Sequence, residues 1–134
     1  MHPQLTRLEQ LDELDRLIEA SESRPVLLFK HSYSCGISAE ALDELAAHLD
    51  EAHAAVTYAM VTVQTHREVS NAVAKQLGVR HETPQALLVR DGRVVWSASH
   101  FRVTAQAVRD AITEAVAAQS PAPRPMPTTT PTES

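Results

Sequence analysis

Cysteine is almost missing from this chain: one residue, Cys35, in 134. A lone thiol cannot close a disulfide within the chain and offers no zinc pattern, and it fits a reducing compartment. Glycine is scarce as well, at three residues. No G-x-G-x-x-G loop is present, which argues against a nicotinamide or flavin site in this chain. No apolar run approaches the about 20 residues needed to span a bilayer. The start, Met1-His2-Pro3-Gln4, has neither the basic nor the apolar segment of a secretory signal. Positive charge is in deficit, 12 Lys and Arg against 17 Asp and Glu, for a net charge of −5. That balance argues against a general nucleic-acid or anionic-membrane surface. What is present is an ordinary 43% of hydrophobic residues, enough for one domain with a real core. The expectation is a small cytoplasmic domain over residues 1–118. A Pro/Thr-rich tail over 119–134, in which no packed core is expected, follows it.

Periodicity orders the elements. Leu8, Leu11, Leu14, Leu17 and Ile18 recur at helical spacing among acidic residues. The apolar run 26–29 reads as a buried strand, followed by the polar turn Lys30-His31-Ser32-Tyr33-Ser34. A helix is predicted over about 39–52, with Leu42, Leu45, Ala46 and Leu49 as its apolar stripe. Residues 56–63 are rich in β-branched side chains and predict a second strand. Residues 67–77 predict a helix stopped by Gly78. Residues 86–89 predict a third strand, joined through Asp91-Gly92 to a hairpin partner over 94–96. Thr104 is a candidate N-cap for a last helix carrying Val108, Ile112 and Val116. The strand–helix–strand units predict parallel pairing, and the hairpin adds an antiparallel edge. The fold class is α/β: a thioredoxin-like layout with a central mixed four-stranded sheet and about four helices.

Cys35 falls where a central strand hands over to a helix. Unpaired backbone N–H groups and the helix dipole there favour thiolate over thiol. A cysteine of this kind is often only a small buried hydrophobe, but its neighbours Ser32, Ser34, Gly36 and Ser38 are not a core environment. Ser38 holds the position of the second cysteine of a C-x-x-C pair. Its hydroxyl can donate to the thiolate or merely satisfy the first helical turn, and in neither role does it resolve a mixed disulfide. Thr83-Pro84 is the second signal. In this layout the residue before a cis-proline faces the nucleophile, and its backbone pairs with an extended substrate. His31 and Lys30 are candidates for positive potential near the sulfur, equally readable as polar residues at a strand end. His66-Arg67 and Arg80-His81 are candidates for a basic rim suited to an anionic low-molecular-weight thiol. The remaining histidines show no metal-ligand spacing, so no metal site is expected.

Several segments in order carry a family resemblance. They are Leu27-Leu28-Phe29-Lys30-His31-Ser32, Cys35 with Ile37-Ser38, Arg67-Glu68-Val69-Ser70-Asn71 and Gly78-Val79. His81-Glu82-Thr83-Pro84-Gln85, Val95-Trp96 and Ala98-Ser99-His100 complete the set. From about Leu8 to Ala117 the chain resembles the monothiol bacilliredoxins of the bacillithiol redox system, the YtxJ type. The resemblance implies an oxidoreductase that removes bacillithiol from S-bacillithiolated client proteins. Cys35 would be its nucleophile, free bacillithiol its co-substrate, and no cofactor would be bound. A separate NADPH-dependent bacillithiol disulfide reductase would act as recycling partner. Ser38 is implied beside the nucleophile, and Thr83, Pro84, His31 and Gly36 around the substrate. Gly36 departs from the family, which usually has proline after the cysteine; glycine there restores a backbone donor and loosens the turn. Two other readings stay open: a non-catalytic adapter binding peptides beside Pro84, and a single-cysteine redox sensor.

Overall fold

The computed structural model describes residues 4–34 and 36–119. Cys35 and the tail residues 120–134 lie outside the described residues. The elements run β1 (Leu5–Arg7), α1 (Leu11–Ala20), β2 (Val26–His31), α2 (Gly36–Leu49), β3 (Thr57–Thr62), α3 (Arg67–Leu77), β4 (Gln85–Arg90), β5 (Arg93–Ser99), a single 3-10 turn (His100–Arg102) and α4 (Ala105–Gln119).

The strands form one sheet in the order β1-β3-β2-β4-β5. β2 is central and buried along its whole length, which is why its sequence is a near-continuous apolar run. Strand alternation sends Leu27 and Phe29 to one face with Ala41, Leu45 and Leu49 of α2 and Val108 and Ile112 of α4. Val26 and Leu28 go to the other face with Leu14 of α1 and Val69 and Val73 of α3.

The sheet has one strand more than the four that the pattern predicts. β1 is three residues long with a single inward side chain, Leu5, too short to display an alternation. Leu8 belongs to the connection after β1, where its N–H donates to the Met60 carbonyl at 2.8 Å. α1 therefore starts later, at Leu11, where the Glu13 carboxylate accepts the N–H groups of Glu9 and Gln10 at 2.8 and 2.9 Å.

A second difference concerns strand direction. β2 and β3 are parallel across α2, as expected, but β4 runs antiparallel to β2. The unit β3-α3-β4 is thus not a parallel crossover. An apolar run carries no sign of its direction, and the loop between Gly78 and Gln85 reverses the chain.

Local signals fall where they were read. α3 ends at Gly78 in the left-handed region, φ 65°, and the Thr104 hydroxyl accepts the Ala107 N–H at 3.1 Å. Asp91 and Gly92 take φ 56° and 73° at the hairpin turn, the pair of positive values a type I′ turn requires. Among the described residues no helix is long and apolar enough to cross a membrane.

Candidate active site

The candidate site gathers where β2 ends. Residues 32–34 form the turn between β2 and α2, and α2 begins at Gly36, so the chain places Cys35 between that turn and the helix start. Lys30 pairs with Gln85 across the sheet, which brings Pro84 level with His31 at this same end. The Thr83–Pro84 peptide bond is cis. Pro84 is buried and Thr83 half-buried. The Pro84 carbonyl accepts the His100 N–H at 3.0 Å. The Thr83 backbone N–H and C=O have no hydrogen bond to another described residue.

Ser38 is fully buried. Its Oγ accepts the Ser32 N–H at 2.9 Å and lies 2.9 Å from His31 Nδ1. The hydroxyl is thereby engaged by the turn and by β2. His31 is only 8% exposed, and burial pushes its pKa below the ordinary histidine value. At neutral pH it is an uncharged ring bonded to Ser38, not a cation presented to a substrate.

Lys30 corrects the same expectation on the opposite face. Its side chain is fully buried, with Nζ donating to His81 Nδ1 at 2.7 Å. Burial lowers its pKa from 10.5 to about 8. His81 is held below its usual value by burial, then by the charges of Lys30 and Arg67. Lys30 thus ties β2 to the segment leading into Pro84, and the cationic character sits with Lys30, Arg67 and the exposed Arg80. His66 Nδ1 is spent on the Thr65 hydroxyl at 2.8 Å.

Gly36 is exposed, and a Cβ built on it meets nothing within 4 Å. Beside it, a cleft of about 340 Å³ runs between α2 and the 3-10 turn, lined by Ile37, Glu40, Glu44, His100, Phe101 and Thr104 among others. His48, expected on α2, is there and buried against the Tyr58 hydroxyl at 2.8 Å; His53 lies beyond the helix and donates its N–H to the same oxygen at 3.1 Å. No group of three or more His, Cys, Asp or Glu among the described residues could hold a metal ion.

Sequence reasoning missed Gln64. Its Oε1 accepts the Tyr33 N–H at 3.3 Å, and its Nε2 donates to Ser32 Oγ and Ser34 Oγ at 2.5 and 2.8 Å. The signal available for it was the parallel register: His31 pairs with Thr62, which carries residue 64 alongside residue 33.

The fold is that of a thioredoxin-like oxidoreductase. Its solved neighbours include a protein provisionally described as an oxidoreductase with a thioredoxin fold, 31% identical, with a TM-score of 0.70 over 80% of this chain and 92% of that one. Spinach chloroplast thioredoxin f is 20% identical with a TM-score of 0.65 over 84% of this chain and 93% of its own. Fasciola hepatica thioredoxin is 22% identical with a TM-score of 0.65, over 81% and 97%. These two show the fold alone. Residues 6–108 match the family described as Monothiol bacilliredoxin BrxC, and the chain belongs to that family.

Proposed function

We propose that this protein removes bacillithiol from S-bacillithiolated client proteins in the cytoplasm through its only thiol. The observation that carries the reading is the pairing of a single Cys35 ahead of α2 with a buried Ser38 hydroxyl where a resolving thiol would stand. Such a chain has no internal partner for its nucleophile, so the second half of the cycle comes from solution. The Cys35 thiolate attacks the bacillithiol sulfur of the client's mixed disulfide. The old S–S bond breaks, and the client leaves as its thiolate. A bacillithiol thiolate then attacks the bacillithiol sulfur of the Cys35 adduct. Bacillithiol disulfide forms, and Cys35 returns as thiolate. The disulfide is re-reduced by a separate NADPH-dependent reductase, because this chain carries no G-x-G-x-x-G loop for a nicotinamide or flavin.

The surroundings support this use. The Thr83 backbone, without a hydrogen bond among the described residues, and the cleft along α2 suit an extended client segment. The charges of Lys30 and Arg67 both act on His81, in the segment that leads into Thr83-Pro84, and there favour an anionic thiol.

The test is intact mass after reduced protein is mixed with bacillithiol disulfide, for wild type and Cys35→Ser. The reading expects one adduct on wild type only, stripped by excess free bacillithiol. No adduct, or one that free bacillithiol does not remove, defeats it.

A further inference from the structure

Gln64 is a half-buried residue after β3 whose side-chain amide has each of its polar groups bonded to the turn that leads to Cys35. Tyr33 N–H donates to Oε1 at 3.3 Å, and Nε2 donates to Ser32 Oγ and Ser34 Oγ. The Tyr33 contact settles which end of the amide is oxygen, because a flipped amide would set two donors against each other. Both N–H groups of Nε2 are therefore spent on hydroxyl oxygens. The two hydroxyls lie 3.3 Å apart, so one O–H bridges them and the other is left over. Ser32 is buried and Ser34 exposed, which leaves the unspent donor on Ser34, the residue before Cys35. Ser32 is held from a second side, its N–H bonded to Ser38 Oγ.

We propose that Gln64 is a positioning residue for thiol chemistry at Cys35: it fixes the turn that leads to that residue and spends the Ser32 proton inward, which keeps the Ser34 hydroxyl free as the donor available to a thiolate. This rests on the reading of Cys35 as the nucleophile. Gln64 acts through Ser34 and is not itself in the reaction.

The experiment follows alkylation of Cys35 in the reduced full chain by iodoacetamide as a function of pH. The variants are Gln64→Met, Gln64→Glu, Ser34→Ala and the Gln64→Met/Ser34→Ala double. Gln64→Met and Ser34→Ala should each raise the thiol midpoint by about one pH unit, the size of one hydrogen bond to a charged acceptor. The double variant should move it no further than either single. Gln64→Glu should raise it at least as far, because its carboxylate accepts both hydroxyl protons and adds negative charge. Unchanged midpoints, or shifts that add in the double variant, overturn the proposal. So does a lowered urea midpoint with no change in the alkylation profile, since that marks a merely structural side chain. Ser34→Ala on the exposed turn keeps the test valid where a Gln64 variant fails to fold. Alkylation needs no disulfide substrate. A wild type that forms no bacillithiol adduct, while these shifts hold, would end the functional reading and leave the role of Gln64 standing.

Discussion

Gly36 opens α2 in helical conformation, with open space where a Cβ would point. Neither sterics nor backbone angle demands glycine there, so the family's usual proline is replaced without a packing reason. Its cost is the extra freedom of the unfolded chain. Gly36→Ala should therefore stabilise the protein by about 0.5 kcal/mol, read as a higher urea midpoint at unchanged slope. It should leave the alkylation midpoint of Cys35 in place, because alanine keeps the N–H. A loss of stability would mean that the turn needs a conformation only glycine supplies. Ser38 is the contrasting residue. Its hydroxyl satisfies the buried Ser32 N–H and the His31 ring together, so it shapes the start of α2 whatever it does for the sulfur.

At the scale of elements, the β4–β5 hairpin is joined to the end of α1 through Ser21 and, by Arg90, the Glu22 carbonyl at 2.7 Å. The buried Ser21 accepts the Asp91 N–H on its carbonyl at 2.8 Å and the Gly92 N–H on its Oγ at 2.9 Å. Arg90 adds a guanidinium bond to the same carbonyl at 2.9 Å. Gly92 stands at φ 73°, and its nearest neighbour for an added Cβ is Ile18 Cγ2 at an ordinary 4.0 Å. The cost of Gly92→Ala is thus conformational, about 1–2 kcal/mol for a side chain in the left-handed region. Urea unfolding should show that loss, and one under about 0.5 kcal/mol would mean the turn relaxes to another type. Features of this kind were legible in the sequence because each is local. Asp91-Gly92 carries its own turn type, Gly78 its own helix stop and Thr104 its own cap. The features that stayed hidden are contacts between distant segments. Lys30 with His81, Gln64 with residues 32–34, and the direction of β4 all depend on sheet register, which no short stretch encodes. The strand end and helix start on either side of position 35 and the cis Thr83–Pro84 bond were legible because their neighbours state the strand, turn and helix there.

Over the whole molecule, the buried ionisable groups combine into one pH dependence. His31 and His48 are both buried and titrate below the free histidine value; desolvation is the main cause for each, and the Arg109 charge adds to it at His48. A depressed folded pKa means that the unfolded chain binds more protons as pH falls through about 6.5. Stability is then present above that value and lost below it, at up to about 1.4 kcal/mol per pH unit for each histidine. Lys30 acts in the same sense at higher pH. Its pKa falls from 10.5 to about 8 on burial, so between those values the unfolded chain again holds the extra proton, and stability keeps rising with pH. Tyr58 sets the upper limit. Burial raises its pKa, so above about 10 the unfolded chain loses a proton that the folded one keeps, and stability turns down. The protein should therefore be most stable on the alkaline side of neutrality, near pH 9 to 10 by these pKa values. Urea midpoints between pH 5.5 and 10.5 in a Cys35→Ser background, where the thiol no longer titrates, measure this directly. A flat profile from pH 5.5 to 7.5 would show that the two histidines protonate without loss of their buried contacts. A flat profile between pH 8 and 9.5 would place Lys30 in water instead of against His81.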